Sequence, residues 1–139
     1  MSQADVETLR AAYEAANRGD WDSAFRGMHP DFEWKTADQV PLAGTYRGPE
    51  EVRRFFGDQR KAFEEVFFEP EQFFERGDRI VVFVLGSFRP TGSSARVEVR
   101  IAHLWTMRGG KAARCEAFPV REEALGAVGL SEQDAHSDS

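Results

Sequence analysis

One histidine lies in the middle of an otherwise apolar strand face. Residues 96–108 are rich in β-forming side chains, and the side chains of a strand alternate between the two faces of a sheet. His103 therefore shares a face with Val99, Ile101 and Trp105. Because an imidazole has an unperturbed pKa of about 6.5, it could act in a dry pocket as an acid, a base or a hydrogen-bond donor. The alternative is a core imidazole whose hydrogen bonds are satisfied by its neighbours.

The same strand is predicted to form a hairpin with residues 111–120. Gly109-Gly110 separates the two runs, and glycines readily adopt the positive φ angles of a two-residue hairpin turn. On the returning strand Ala113, Cys115 and Ala117 fall on one face, and small residues opposite large ones are typical of a cavity wall or a close helix contact. Cys115 could be a nucleophile only beside a base that lowers its pKa. The sequence indicates no such base, so a buried, unreactive thiol is favoured.

Two carboxylates near the first predicted strand could supply a general base. Asp31 and Glu33 lie on one face of that strand, and a carboxylate whose pKa is raised at a cavity mouth can accept a proton. A solvated strand face is the interpretation that we favour for both. Trp34, Tyr46 and Trp105 could form aromatic walls around a ligand, although core packing explains them at least as well.

Composition narrows the classes of protein and partner. The chain has 139 residues, which fits one domain, and its net charge of −6 argues against nucleic acid or an anionic membrane as a partner. We find no signal-peptide pattern and no apolar run near the ~18 residues of a membrane helix. A single Cys predicts a reducing, cytoplasmic setting. With no metal-ligand cluster and no phosphate-binding glycine loop, we predict neither a metal site nor a cofactor.

The first half of the chain is predicted to be mainly helical. Apolar residues recur at helical spacing in residues 3–18. Asp20 can cap a second short helix with a Trp21, Phe25 and Met28 stripe, which His29-Pro30 would end. A short strand at residues 31–36 and a loop at 37–45 follow. A third helix begins at Gly48-Pro49 and ends near residue 63.

The second half is predicted to form strands. Residues 66–74 are interrupted by Pro70, which indicates an edge strand or a bulge. Residues 79–88 are apolar on both faces, so we expect this strand to be covered on both sides. A last helix spans residues 121–128 and stops at Gly129. We predict one domain at residues 1–130 and a disordered tail at 131–139.

Several motifs occur in an order that resembles a known family. HPDFEW follows two amphipathic helices, YRGPEEVRRFF opens the third helix, and HLWTMRGGKAARCEAF and REEALGAVGL come last. Over roughly residues 6–130 the chain resembles the SnoaL-like branch of the nuclear transport factor 2-like superfamily. The resemblance implies an α+β cone in which a curved antiparallel sheet packs about three helices on its concave face around an apolar pocket. It also implies a homodimer formed through the outer face of the sheet.

The resemblance assigns roles to few side chains. His103 matches the pocket histidine of the SnoaL-like polyketide cyclases, but the Asp that those cyclases use as a base falls on Ala117 here. The base of the ketosteroid isomerases falls near Thr36, and Asp38 is the closest carboxylate in sequence. The catalytic candidates are therefore His103, Asp38 and Asp31.

We therefore predict a protein that binds a small hydrophobic or aromatic molecule. The predicted ligand-binding side chains are Trp34, Tyr46, Ile101, Trp105, Cys115 and Ala117. One alternative is an isomerase or cyclase in which His103 and a nearby carboxylate move a proton next to a carbonyl group. Another is a non-enzymatic dimerisation domain. A cavity of ~300 Å³ or more containing His103 and a carboxylate would favour the enzyme, whereas a core filled by rings would favour the dimerisation domain.

Overall fold

The main element of the fold is a six-stranded curved sheet that is not closed into a barrel. The structure is a computed structural model, and it describes residues 2–38 and 43–131. Its strand order is β2-β1-β6-β5-β4-β3; β1 and β6 pair parallel and the other neighbours pair antiparallel. The predicted α+β class is confirmed. The predicted tail lies outside the described residues from residue 132 onward. In chain order the elements are α1 (Ser2–Asn17), α2 (Trp21–Arg26), β1 (Met28–Lys35), β2 (Thr45–Arg47), α3 (Gly48–Ala62), β3 (Phe63–Arg76), β4 (Arg79–Pro90), β5 (Val97–Arg108), β6 (Lys111–Phe118) and α4 (Arg121–Ala127).

Three helices lie against the inner face of the sheet because each has one apolar stripe. Leu9 and Tyr13 of α1 and Val52 and Phe55 of α3 are buried in the same cluster as the inward side chains of the strands. Asp20 caps α2 by accepting a hydrogen bond from the Ser23 backbone N–H at 3.2 Å, as the sequence predicts. These helices form one wall of the space that holds His103.

Strand β4 is covered on both sides, as predicted. Ile80 and Val82 pack inward, whereas Val81 and Phe83 pack outward with Leu125 of α4. The outer cover over β4 is thus the last helix of the same chain. This helix buries the central part of the outer face through which the resemblance implies a homodimer.

Two boundaries near the start of the sheet differ from the prediction. The second helix ends at Arg26, and Met28 belongs to β1. Pro30 lies inside β1 rather than ending a helix, because the pairing with β6 is irregular between Met28 and Glu33 and a missing N–H is tolerated there. Strand β2 was not predicted; it lies mostly beyond the predicted loop, is only three residues long and pairs with β1.

The hairpin and the edge strand agree with the sequence analysis. Gly109 and Gly110 have φ angles of 60° and 80° and join β5 to β6. Strand β3 lies at the sheet edge, with a register shift just after Pro70. The alternation predicted for β6 needs one correction: a bulge opposite Thr106 and Met107 turns Ala112, and not Ala113, toward the inner cluster.

Candidate functional site

A cavity of about 570 Å³ opens between α3 and the inner face of the sheet. Helix α3 supplies Phe55 and Phe56, and β3 supplies Phe68. Most of the lining is apolar, and the volume is in the range of small-molecule sites. The polar residues among the described lining are Thr36, Gln59, Arg100 and His103.

Four of the predicted site residues border this cavity. Trp34, Ile101, His103 and Ala117 belong to its lining. In the β5–β6 ladder His103 is directly opposite Ala117, so a methyl group lies beside the imidazole at the position where the resemblance implied a basic Asp. The small side chain leaves open space there.

Three predicted ligand contacts lie elsewhere. Tyr46 packs against Phe55, with ring centroids 4.6 Å apart, and is outside the lining. Trp105 is buried behind His103, and Cys115 is fully buried opposite Trp105 in the ladder. Burial raises the pKa of the Cys115 thiol well above its ordinary value, so the group stays protonated.

The candidate carboxylates do not converge on His103. The Asp31 side chain is 84% exposed, and Asp38 is also exposed outside the lining. Glu33 is bound by two arginines, with Arg47 Nε at 2.9 Å and Arg114 Nε at 3.3 Å from its carboxylate oxygens. None of the described lining residues is Asp or Glu.

Two polar residues of the lining have structural partners. The Thr36 hydroxyl donates to the Ala37 carbonyl at 3.0 Å and accepts from the Gly44 backbone N–H at 2.9 Å, so it ties the two ends of the loop together. Arg100 borders the cavity, but its side chain is 70% exposed and its guanidinium is 3.9 Å from Glu71. We therefore interpret Arg100 as a surface residue that pairs with Glu71 rather than as a ligand-binding group.

His103 is held by two aromatic partners on its buried side. The Tyr13 hydroxyl lies 2.7 Å from His103 Nδ1, and Trp105 Nε1 donates to the same hydroxyl oxygen at 2.9 Å. The planes of the Tyr13 and His103 rings are parallel to within 2°. Trp34 meets the imidazole edge to face, with centroids 5.1 Å apart. The imidazole therefore has one defined orientation.

Burial decides the charge of this imidazole. His103 is 1% exposed, and desolvation lowers its pKa from 6.5 to about 3. Burial also raises the pKa of Tyr13 well above 10. Both side chains are neutral at physiological pH, so His103 can exchange hydrogen bonds with a ligand but carries no charge.

A second, much smaller chamber lies behind the histidine. It measures about 50 Å³, and Trp34, Phe56, Phe68 and His103 line both spaces. Tyr13 lines only the inner chamber. The imidazole therefore stands between the main cavity and the helix α1 side of the core.

The sequence analysis missed some of the lining. Phe55 and Phe56 of α3 and Phe68 of β3 line the cavity but were not predicted as site residues. Helical periodicity and the twelve Phe of the chain are the signals that point to them. No signal in the sequence joins Tyr13 to His103, because 90 positions separate them.

The described part of the chain lacks two other features, a metal-binding cluster and a membrane-spanning helix. Residues 2–38 and 43–131 contain no group of three or more His, Cys, Asp or Glu side chains that could hold a metal ion. None of the helices described here is long and apolar enough to cross a membrane.

Solved structures define the class of this protein. TerC, co-crystallised with polyporic acid, is 30% identical in sequence to this chain. The match covers 83% of this chain and 90% of TerC, with a TM-score of 0.77. An NTF2-like protein of unknown function from Burkholderia pseudomallei is 25% identical over 91% of this chain and 98% of that one, also with a TM-score of 0.77. A ketosteroid isomerase-like fold from Catenulispora acidiphila, in complex with trimethylamine, is 16% identical over 91% and 95%, with a TM-score of 0.72. The fold is nuclear transport factor 2-like.

The sequence itself gives the family. The model of the SnoaL-like domain matches residues 9–115, which is most of the chain. This protein belongs to the SnoaL-like family, as its motifs suggest. No curated protein matches it significantly.

Proposed function

We propose that this protein binds a small, flat hydrophobic molecule in the cavity beside His103. The observation that carries the proposal is the cavity itself: about 570 Å³, mostly apolar, with a buried neutral imidazole in its wall. Sites that bind small molecules combine an apolar lining with a few polar groups that fix orientation. The cocrystal of TerC with polyporic acid supports the same kind of ligand.

The isomerase or cyclase alternative needs a group that removes a proton from carbon. Burial lowers the pKa of His103 to about 3, so its imidazole is a weak base, and the described lining contains no carboxylate. Asp38 and Asp31, proposed as bases from the sequence, are exposed outside the cavity. Ligand binding is therefore the function that the geometry supports best.

The setting and assembly of the protein remain part of this proposal. A buried, protonated Cys115 suits a reducing cytoplasm. We also infer a homodimer formed through the part of the outer sheet face that α4 leaves uncovered.

Filling the cavity tests the proposed function. Ala117→Phe places a ring directly opposite His103 and should abolish saturable binding of polyporic acid, measured by isothermal titration calorimetry. Ala95→Phe adds the same ring at an exposed turn outside the lining and should bind as the wild type does. Circular dichroism checks that both variants fold.

Two results would contradict the proposal. One is equal affinity of the wild type and folded Ala117→Phe for the probe. The other is the absence of saturable wild-type binding to polyporic acid and also to 2-acetylnaphthalene, a smaller aromatic ketone.

A further inference from the structure

The hydrogen bonds on the buried side of His103 determine which ring nitrogen carries its proton. An indole N–H can only donate, so the Tyr13 oxygen accepts from Trp105. The Tyr13 proton then has one acceptor among the described residues, His103 Nδ1 at 2.7 Å. If Nδ1 carried the proton instead, the buried Tyr13 hydroxyl would lose its acceptor, which is costly. Nδ1 is therefore the unprotonated nitrogen, and the neutral ring carries its proton on Nε2.

The second nitrogen faces the cavity. The two nitrogens of an imidazole point in nearly opposite directions, and Nδ1 points toward Tyr13, which does not line the main cavity. Within the described residues Nε2 has no hydrogen-bond partner, yet it is not among the buried polar atoms that are sealed off without one. A donor with no partner among the described residues thus borders the apolar cavity.

We propose that the ligand presents a carbonyl oxygen, as a ketone or quinone does, to the Nε2–H of His103, and that Tyr13 and Trp105 hold the ring in this tautomer. This inference rests on the proposed function and narrows the class of ligand. A carbonyl oxygen only accepts, so it satisfies the imidazole without adding a buried donor of its own. An alcohol or amine would bring a hydrogen that needs an acceptor in the cavity, where the hydroxyl of Thr36, another lining residue, is already engaged with the backbone.

The arrangement gives His103 and Tyr13 different tasks. His103 is the side chain that touches the ligand oxygen. Tyr13 is a positioning residue, because it acts by fixing the proton on the far nitrogen. Without the Tyr13 hydroxyl, the His103 proton is free to occupy Nδ1, and Nε2 can then meet the ligand oxygen with a lone pair.

Two probes of the same shape test the ligand class. 2-Acetylnaphthalene carries a carbonyl, and 2-isopropenylnaphthalene replaces its oxygen with a CH₂ group. Calorimetry on the wild type should give about tenfold tighter binding of the ketone, since a buried donor gains its only partner. The His103→Leu variant should bind the ketone and the alkene with similar affinity, because it has lost the hydrogen-bond donor. His29→Leu, a change at the start of β1 outside the lining, should retain the preference for the ketone.

The tautomer can be read without any ligand. Long-range ¹H–¹⁵N correlation spectra should show a protonated Nε2 and an unprotonated Nδ1 in the wild type, and a mixture of the two tautomers in Tyr13→Phe. The ketone preference should shrink in the same variant. If Tyr13→Phe does not fold, the spectra of the wild type alone decide the tautomer, because they need no variant.

Each failure has a separate meaning. A wild type that binds both probes equally would overturn the carbonyl assignment while leaving the proposed function intact. A proton found on Nδ1 would overturn the tautomer. Failure of both probes to bind would count against the proposed function, and the spectra of the free protein would still decide the role of Tyr13.

Discussion

At His103 the two sides of the imidazole meet different surroundings. One side contacts the Tyr13 hydroxyl in a packed aromatic cluster, and the other borders the cavity. A ring in this position cannot gain a proton at ordinary pH, because burial lowers its pKa to about 3. The general acid or base that its unperturbed pKa suggests is therefore replaced by a neutral group that exchanges hydrogen bonds.

This pKa shift makes stability depend on pH. Burial lowers the pKa of His103 to about 3, whereas in the unfolded chain it is about 6.5. Between these values the unfolded state binds a proton that the folded state does not. The free energy of unfolding should therefore fall by up to about 1.4 kcal/mol per pH unit as the pH drops below about 6.5, and above it this contribution is constant.

Urea unfolding at several pH values measures this effect. Carboxylates titrate in every variant, so the informative quantity is the difference in the free energy of unfolding between the wild type and His103→Gln. This difference should shrink or reverse as the pH falls. In the folded wild type, the His103 ring resonances should not move between pH 7.5 and 4.5. A His103 that titrates within that interval would contradict the burial argument.

The helices and strands that were predicted correctly are those with a strong local sequence pattern. The hairpin was predicted from Gly109-Gly110, and the two-sided burial of β4 from its continuous apolar run. Strand β2 and the course of β1 through Pro30 were missed, because both depend on pairing between segments distant in the chain. Local propensity carries no information about such partners.

Two glycines test how far local geometry controls stability. Gly110 has a φ angle of 80° in the hairpin turn, and Gly57 lies in α3 at a normal φ with no atom near an added Cβ. Gly110→Ala should lower the free energy of unfolding by about 1 kcal/mol, because a side chain disfavours positive φ. Gly57→Ala should raise it by about 0.5–1 kcal/mol through helix propensity. Thermal or urea unfolding of the two variants measures both changes in the free energy of unfolding. Changes of the same sign and size would show that backbone conformation at these glycines does not determine the effect.

In the whole molecule, the site could be predicted only in part. Alternation placed His103, Ile101 and Ala117 on the inner face, and the structure puts all three at the cavity. The same rule could not tell that Trp105 and Cys115, farther along the same faces, lie deeper than the cavity under α1. Depth depends on where the helices cross the sheet, and no single segment encodes that crossing. For the same reason the Tyr13–His103 contact becomes visible only in the folded chain.

The outer face of the sheet is where assembly would be decided. Helix α4 covers its central part, and beyond α4 a groove lined by Phe67, Leu85 and Ser87 remains open. Phe67 is 45% exposed, and charged residues that include Glu65 and Glu69 line the same groove. In a two-fold symmetric dimer the same patch pairs with itself, so one side chain would be buried twice.

Replacing this side chain tests the homodimer that we infer. Phe67→Glu would bring like charges together across the two-fold axis and should convert a dimer into a monomer, as measured by size-exclusion chromatography with light scattering across a dilution series. Val97→Glu adds the same charge at an equally exposed apolar residue, 49% accessible, which strand alternation turns to the opposite face with His103. This control should remain dimeric. A monomeric wild type, or equal dissociation of both variants, would contradict a dimer formed through this surface. Dissociation of Phe67→Glu alone would support it, and the cavity would then remain free on the inner side of each subunit.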